Sequence, residues 1–180
     1  ENYYRPDATG KLIMHPAQAL ETWWDVTDPM PEVAGLRAIS ERILGLPDAV
    51  VSEEQRSFWL AFLAKLPELP LRETPDGPAL APARECAQKS NIENPELYAV
   101  FPFRLVGVGR PNLEQGISAL RHRWDSGAGG WRQDDIFMAY LGLADEARAN
   151  VGQRASTWHS GSRFPAFWGP NYDWIPDQDH

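Results

Sequence analysis

The residues best suited to chemistry crowd into one stretch of this chain, 164–180, which reads FPAFWGPNYDWIPDQDH. Three carboxylates, Asp173, Asp177 and Asp179, alternate there with Trp168, Tyr172 and Trp174 and with the amides Asn171 and Gln178. Pro170 and Pro176 interrupt regular pairing, and buried aspartates would each need a partner, so the stretch does not read as core. Flat aromatic faces stack on the apolar faces of sugar rings, while amides, acids and a histidine such as His180 bond the hydroxyls. A carbohydrate site fits this composition. A rigid surface loop whose tryptophans plug the edge of a core fits it too.

Bulk composition removes several other classes. The formal charge of −8 argues against a nucleic-acid partner, because phosphate contacts need a basic face and the densest basic run, Arg121-His122-Arg123, is short. No apolar run is long enough for a membrane span. A single cysteine, Cys86, excludes an internal disulfide framework and a multi-cysteine zinc site. His15, His122, His159 and His180 are far apart and lack metal-ligand spacing, so no metal or other cofactor is expected. Eight tryptophans suit either a large helical core or a sugar-binding cleft.

The elements that must position these residues read as helices separated by elaborate loops. Pro16 opens an expected helix through Trp23 and Trp24, whose adjacent side chains cannot both face one cleft. A second helix follows Pro31, with Val33, Leu36, Ile39 and Ile43 at three- and four-residue steps. Ser52, followed by Glu53, Glu54 and Gln55, is an N-cap signal for a third, with Phe58, Trp59, Phe62, Leu63 and Leu66 on one face and a stop before Pro67. Pro75-Asp76-Gly77 signals a turn, with a short hairpin in the proline-rich stretch around it. Residues 97–105 form a short apolar run. Asn112 caps a further helix, and two more are expected around Ile136–Leu141 and from Asp145 to about Ser156. Asp134 and Asp135 sit at a helix start, where the dipole favours acids. Roughly six helices and little strand predict an all-α protein, either a bundle or part of an α/α toroid with its long loops at one end.

The order of landmarks resembles the C-terminal half of the (α/α)6 catalytic barrel of glycoside hydrolase family 95, the inverting α-L-fucosidases, and of related bacterial proteins. Glu1-Asn2 with Tyr4 is similar to the segment carrying that family's acid. LPELPLRETPDGPALAP resembles its paired-proline segment, and ENPELYAVFP sits where the family has a histidine-rich segment followed by Leu-Tyr. GGWRQDDIFMAYLGLADEARA and PDQDH match later landmarks, the second at the family's Asp-Gly-Asn motif. Asn91-Ile92-Glu93-Asn94 departs from the family's His-Arg-His.

The resemblance implies that residues 1–180 are a piece of one toroidal catalytic domain, exported to the periplasm or secreted, whose partners are a carbohydrate substrate and the missing remainder of its own chain. It also implies inverting hydrolysis of an α-linked fucose- or galactose-like sugar. Such enzymes need one carboxylic acid to protonate the leaving oxygen and one carboxylate to activate water, about 6.5–9.5 Å apart. By resemblance Glu1 is the proton donor and Asp179 the base, with Asp177 the alternative. Glu93, Asn94, Trp168, Asn171, Tyr172, Trp174, Gln178 and His180 are the expected sugar contacts. A catalytically dead glycan-binding relative and a toroidal polysaccharide lyase are the rival readings, the latter disfavoured by the acidic charge.

Overall fold

The computed structural model describes residues 4–126 and 133–156. Through them run β1 (Arg5–Pro6), β2 (Leu12–Ile13), β3 (Ala17–Ala19), β4 (Trp23–Pro29), α1 (Met30–Leu44), α2 (Glu53–Lys65), β5 (Leu71–Thr74), β6 (Gly77–Leu80), β7 (Ala83–Glu85) and β8 (Gln88–Lys89). A 3-10 turn (Pro95–Leu97), α3 (Leu113–Arg121), α4 (Asp134–Tyr140) and α5 (Ala144–Ser156) complete the order. This is a mixed α/β fold, not the all-α toroid expected above.

The correction centres on residues 16–29. A helix is expected from Pro16 through Trp24, but β3 and β4 form an antiparallel pair, with Ala17 opposite Val26 and Ala19 opposite Trp23. Two local causes favour strand. Thr22, Trp23, Trp24, Val26 and Thr27 are β-branched or aromatic, types that fit a pleated, half-buried surface. Leu20, Asp25 and Asp28 adopt left-handed backbone angles (φ 54°, 52° and 52°), which no right-handed helix accommodates. The third cause is remote in sequence. β7 and β8 return to the other edge of β4, pairing Thr27 with Glu85, Pro29 with Ala83, Trp23 with Lys89 and Trp24 with Gln88. Asp28 is buried and fixes the strand end by accepting the Met14 amide at 2.7 Å and pairing with Arg84 at 2.8 Å.

The helices follow their sequence signals more closely. α1 starts directly after Pro29 with Pro31 in its first turn, where the ring's fixed φ is preorganised and no donor is lost. α2 carries the full capping box: the Gln55 amide donates to Ser52 Oγ (3.2 Å) and the Ser52 amide donates to Gln55 Oε1 (2.9 Å). The two helices pair as a hairpin and close each other's ends. Arg56 Nη1 on α2 donates to the Leu44 carbonyl at 2.6 Å, and Arg37 Nε on α1 donates to the Pro67 carbonyl at 2.9 Å. The apolar face expected on α2 is only partly used. Phe62 and Leu63 pack against Leu12, Met14, Val33 and Leu66, but Phe58 and Leu60 stay more than half exposed.

The expected turn at residues 75–77 joins β5 and β6 as a hairpin, Thr74 pairing with Gly77. α3 lies on β6, and with Met30, Ala34, Leu97, Val100, Val106, Phe137 and Leu141 it builds the main core. No helix among the described residues is long and apolar enough to cross a membrane.

Candidate active site

Of the expected site residues, Glu1, Trp168, Asn171, Tyr172, Trp174, Asp177, Gln178, Asp179 and His180 lie outside the described residues, as do Trp131 and His159. Glu93 and Asn94 lie within them. Both belong to a polar and aromatic cluster whose centre is a residue the sequence reading passed over, Glu96.

Four separate segments build the cluster. The start of β4 supplies Thr22 and Trp23. β5 supplies Arg72. β8 and the loop after it, running into the 3-10 turn, supply Lys89, Glu93, Asn94 and Glu96. The residues after α3 supply Trp124 and Asp125. Pairing of Trp23 with Lys89 across β4 and β8 locks the first and third of these together. Backbone bonding continues the lock, since the Ser90 amide donates to the Thr22 carbonyl at 2.7 Å.

Side chains tie the remaining pieces in. Thr22 Oγ1 donates to Glu93 Oε2 at 2.8 Å. Asn94 Nδ2 donates to the Asp125 carbonyl at 2.9 Å, and Lys89 Nζ pairs with Asp125 Oδ2 at 2.7 Å while donating to the Asn91 carbonyl at 2.6 Å. The Trp23 and Trp124 rings meet edge to face with centroids 5.2 Å apart. Arg72 lays its guanidinium 4.2 Å over the Trp124 ring and donates through Nη2 to the His122 carbonyl at 2.6 Å. His122 Nε2 in turn sits 2.6 Å from Asp76 Oδ2 at the β5–β6 turn.

Glu96 is 1% exposed, and neither of its carboxyl oxygens is hydrogen-bonded to another described residue. Burial pushes its pKa up to about 7. Its own amide, the Arg72 guanidinium and the Lys89 ammonium act against that rise, while the negative charge of Asp125 adds to it. Asn94 Oδ1 and Trp23 Nε1 are likewise buried without a hydrogen bond to a described residue. Native interiors leave few such atoms unpaired, and their gathering in one cluster is the structural signal of a site. A sequence signal for Glu96 existed. It is a lone acid in the run Pro95 to Leu105, among Leu97, Ala99 and Val100, where a carboxylate has no solvated face to occupy.

Glu93 is half-buried and Asn94 is 5% exposed, and both are engaged with protein groups on at least one atom. Trp23 and Trp24, expected on a helix, lie on a strand and therefore point to opposite faces. Trp23 joins the cluster, whereas Trp24 is 53% exposed with its indole N–H held by the Glu21 carbonyl at 3.1 Å. Asp134 and Asp135 do start α4, but both are buried, and Asp134 Oδ1 pairs with Arg123 Nε at 2.6 Å. Among the described residues, no group of three or more His, Cys, Asp or Glu side chains is arranged to hold a metal ion.

No family model matches the chain, and neither a curated protein nor a solved structure matches it.

Proposed function

We propose that this chain cleaves a glycosidic bond, with Glu96 as proton donor and Asp125, paired with Lys89, as the acceptor of the water's proton. The observation that carries this reading is the contrast between two neighbouring acids. Glu96 is buried, lacks a hydrogen-bonded partner and holds its proton to about pH 7, while Asp125 is paired with Lys89. A carboxyl that keeps its proton near neutral pH, next to a second carboxyl paired with a lysine, supplies the two groups that acid–base cleavage of an acetal requires. Glu96 would protonate the leaving oxygen; Asp125 would take a proton from the attacking water. Trp23, Trp124, Glu93 and Asn94 are the aromatic and polar types that engage sugar rings and hydroxyls. At 1% exposure, Glu96 meets substrate only if the loop segments around it open on binding. A fucose- or galactose-like sugar and an exported protein are the substrate and location that the family resemblance favours.

The test is sugar release from a mixed panel of oligosaccharides by the chain and its Glu96→Gln variant. The amide keeps the shape and removes the proton, so release should fall by about 10²–10⁴, the usual contribution of general acid–base catalysis. Undiminished release by the variant would remove Glu96 from the mechanism. The anomeric form of the first product then assigns inversion or retention.

One observation favours a second reading, glycan binding without cleavage. Trp24 presents an anchored indole to solvent beside Gln88, a ready stacking platform outside the acid cluster. Binding lost in Trp24→Ala, together with no release by the native chain, would move that reading ahead.

A further inference from the structure

A polar concavity lies between α1, residues 68–71, and the loop 103–112 that leads into α3. It consists of a cavity of about 410 Å³ lined by Arg37, Glu41, Glu68, Arg110, Asn112 and their apolar neighbours. A second cavity of about 340 Å³ is lined by Arg42, Phe103 and Arg104. The two share Glu41, Leu105 and Arg110, so they form one groove, and none of its residues belongs to the Glu96 cluster.

Four arginines against two glutamates make this groove locally basic in a chain of net charge −8. The arginines are not equally committed. Arg37 is held by the Pro67 carbonyl and by Glu68 Oε1 at 3.0 Å. Arg42 reaches only the Phe103 carbonyl, at 3.4 Å. Arg104 rests 5.0 Å from the Tyr140 ring centroid, and neither it nor Arg110 forms an ion pair with any described carboxylate. A guanidinium stays charged at all working pH values, and its planar fork matches the oxygens of a tetrahedral anion.

The backbone supplies a second, independent attraction for an anion. Asn112 and Gln115 bring the N-terminus of α3 to the groove wall, and Asn112 makes no side-chain cap there. The Gln115 amide already donates to the Asn112 carbonyl at 3.1 Å, so the Leu113 and Glu114 N–H groups and the positive end of the helix dipole are left for a ligand. Asn112 itself sits at φ 63°, and Arg104 at φ 59°, so both ends of the loop that carries Arg110 adopt left-handed conformations.

We propose that this groove binds a small molecule bearing a phosphate or sulfate group. Arg104 and Arg110 clamp the oxyanion, the α3 N-terminus faces it, and Glu41 accepts a hydroxyl from the organic remainder. The tetrahedral oxyanion is the recognised chemistry, and separate titrations with inorganic phosphate and inorganic sulfate distinguish its two sources.

Calorimetric titration of the chain with each ion should give saturable binding with a Kd of about 1 mM or tighter, weakening as sodium chloride is raised. Arg110 is exposed and forms no ion pair, so Arg110→Gln should fold normally and weaken binding by about tenfold. Adding Arg104→Gln should abolish it. Arg148→Gln, which removes a surface cation on α5 away from the groove, should change nothing. Failure of both ions to bind below about 10 mM overturns the proposal. So does equal weakening by Arg148→Gln and Arg110→Gln, which would mean general charge screening. Preference for one ion names the ester to seek.

Discussion

Replacing Glu96 by glutamine should make the protein more stable above neutral pH and leave it nearly unchanged in acid. The magnitude follows from the site. Burial raises the Glu96 pKa from 4.5 to about 7, with Asp125 adding to the rise and Arg72 and Lys89 limiting it. In the unfolded chain the same carboxyl has an ordinary value. Below pH 4.5 both states hold the proton and the group contributes nothing to the pH dependence. Between 4.5 and about 7 the folded state keeps a proton that the unfolded state has released, so stability falls as pH rises. Each pH unit costs about 1.4 kcal/mol, and the whole interval costs about 3 kcal/mol. Above pH 7 the loss is complete. A neutral amide cannot ionise, so Glu96→Gln removes this slope while occupying nearly the same volume.

Urea unfolding of both proteins at pH 5, 6, 7 and 8 reads the effect directly. Other groups titrate over this range, but they are common to both proteins and cancel in the difference. At pH 5 the two free energies should agree to within about 1 kcal/mol, allowing for the altered polar atom. By pH 8 the variant should lead by about 3 kcal/mol. Parallel curves would refute the reasoning, because they would mean that Glu96 titrates normally in the folded state. A variant destabilised at every pH would assign the carboxylate a structural ion-pair role, most directly with Arg72.

Two further predictions test how the fold holds the site. Ser52→Ala removes half of the α2 capping box and should cost about 1 kcal/mol in thermal or urea unfolding, with the folded-state circular dichroism unchanged. Gly107→Ala should cost more, about 2–3 kcal/mol by the same measurement, because φ is 148° there and an added Cβ would lie 2.8 Å from the Tyr140 carbonyl oxygen. That oxygen also accepts the Val108 amide at 2.9 Å, so strain at Gly107 loosens the loop carrying Arg104 and Arg110 from α4.

The sequence was legible where the decisive interactions are local. Ser52 and Gln55 lie three residues apart, Pro75-Asp76-Gly77 is its own turn, and Pro31 sits in the first turn of the helix it announces. It was misleading where the partners are remote. β4 is held by residues 83–89, about sixty positions downstream, and nothing in the periodicity of residues 16–29 exposes that pairing. The all-α expectation failed for this reason. The site divides along the same line. The segment Glu93-Asn94 was singled out and does lie in the cluster, but Glu96 gains its character from burial by strands and loops that the sequence order keeps apart. The groove arginines were missed for a related reason, since Arg37 and Arg42 on α1 meet Arg104 and Arg110 only through the tertiary fold.

Stability and activity together separate the two roles a buried carboxyl can have. A structural glutamate, paired with a cation in a low-dielectric setting, leaves an uncompensated charge when it is neutralised and costs about 3–5 kcal/mol. Arg72 does exert an attraction on Glu96, but its guanidinium stacks on the Trp124 ring and donates through Nη2 to the His122 carbonyl, and although its Nε has no hydrogen-bond partner among the described residues it forms no hydrogen bond to the carboxyl. The folded protein therefore carries a group that is unfavourable when charged and unsatisfied when neutral. Evolution removes such groups cheaply, by glutamine or leucine, unless they serve a purpose that stability does not measure. Sugar release lost while stability at pH 8 rises is the combination that only a working acid produces. Lost release with lost stability would make the cluster a structural support for chemistry carried out elsewhere.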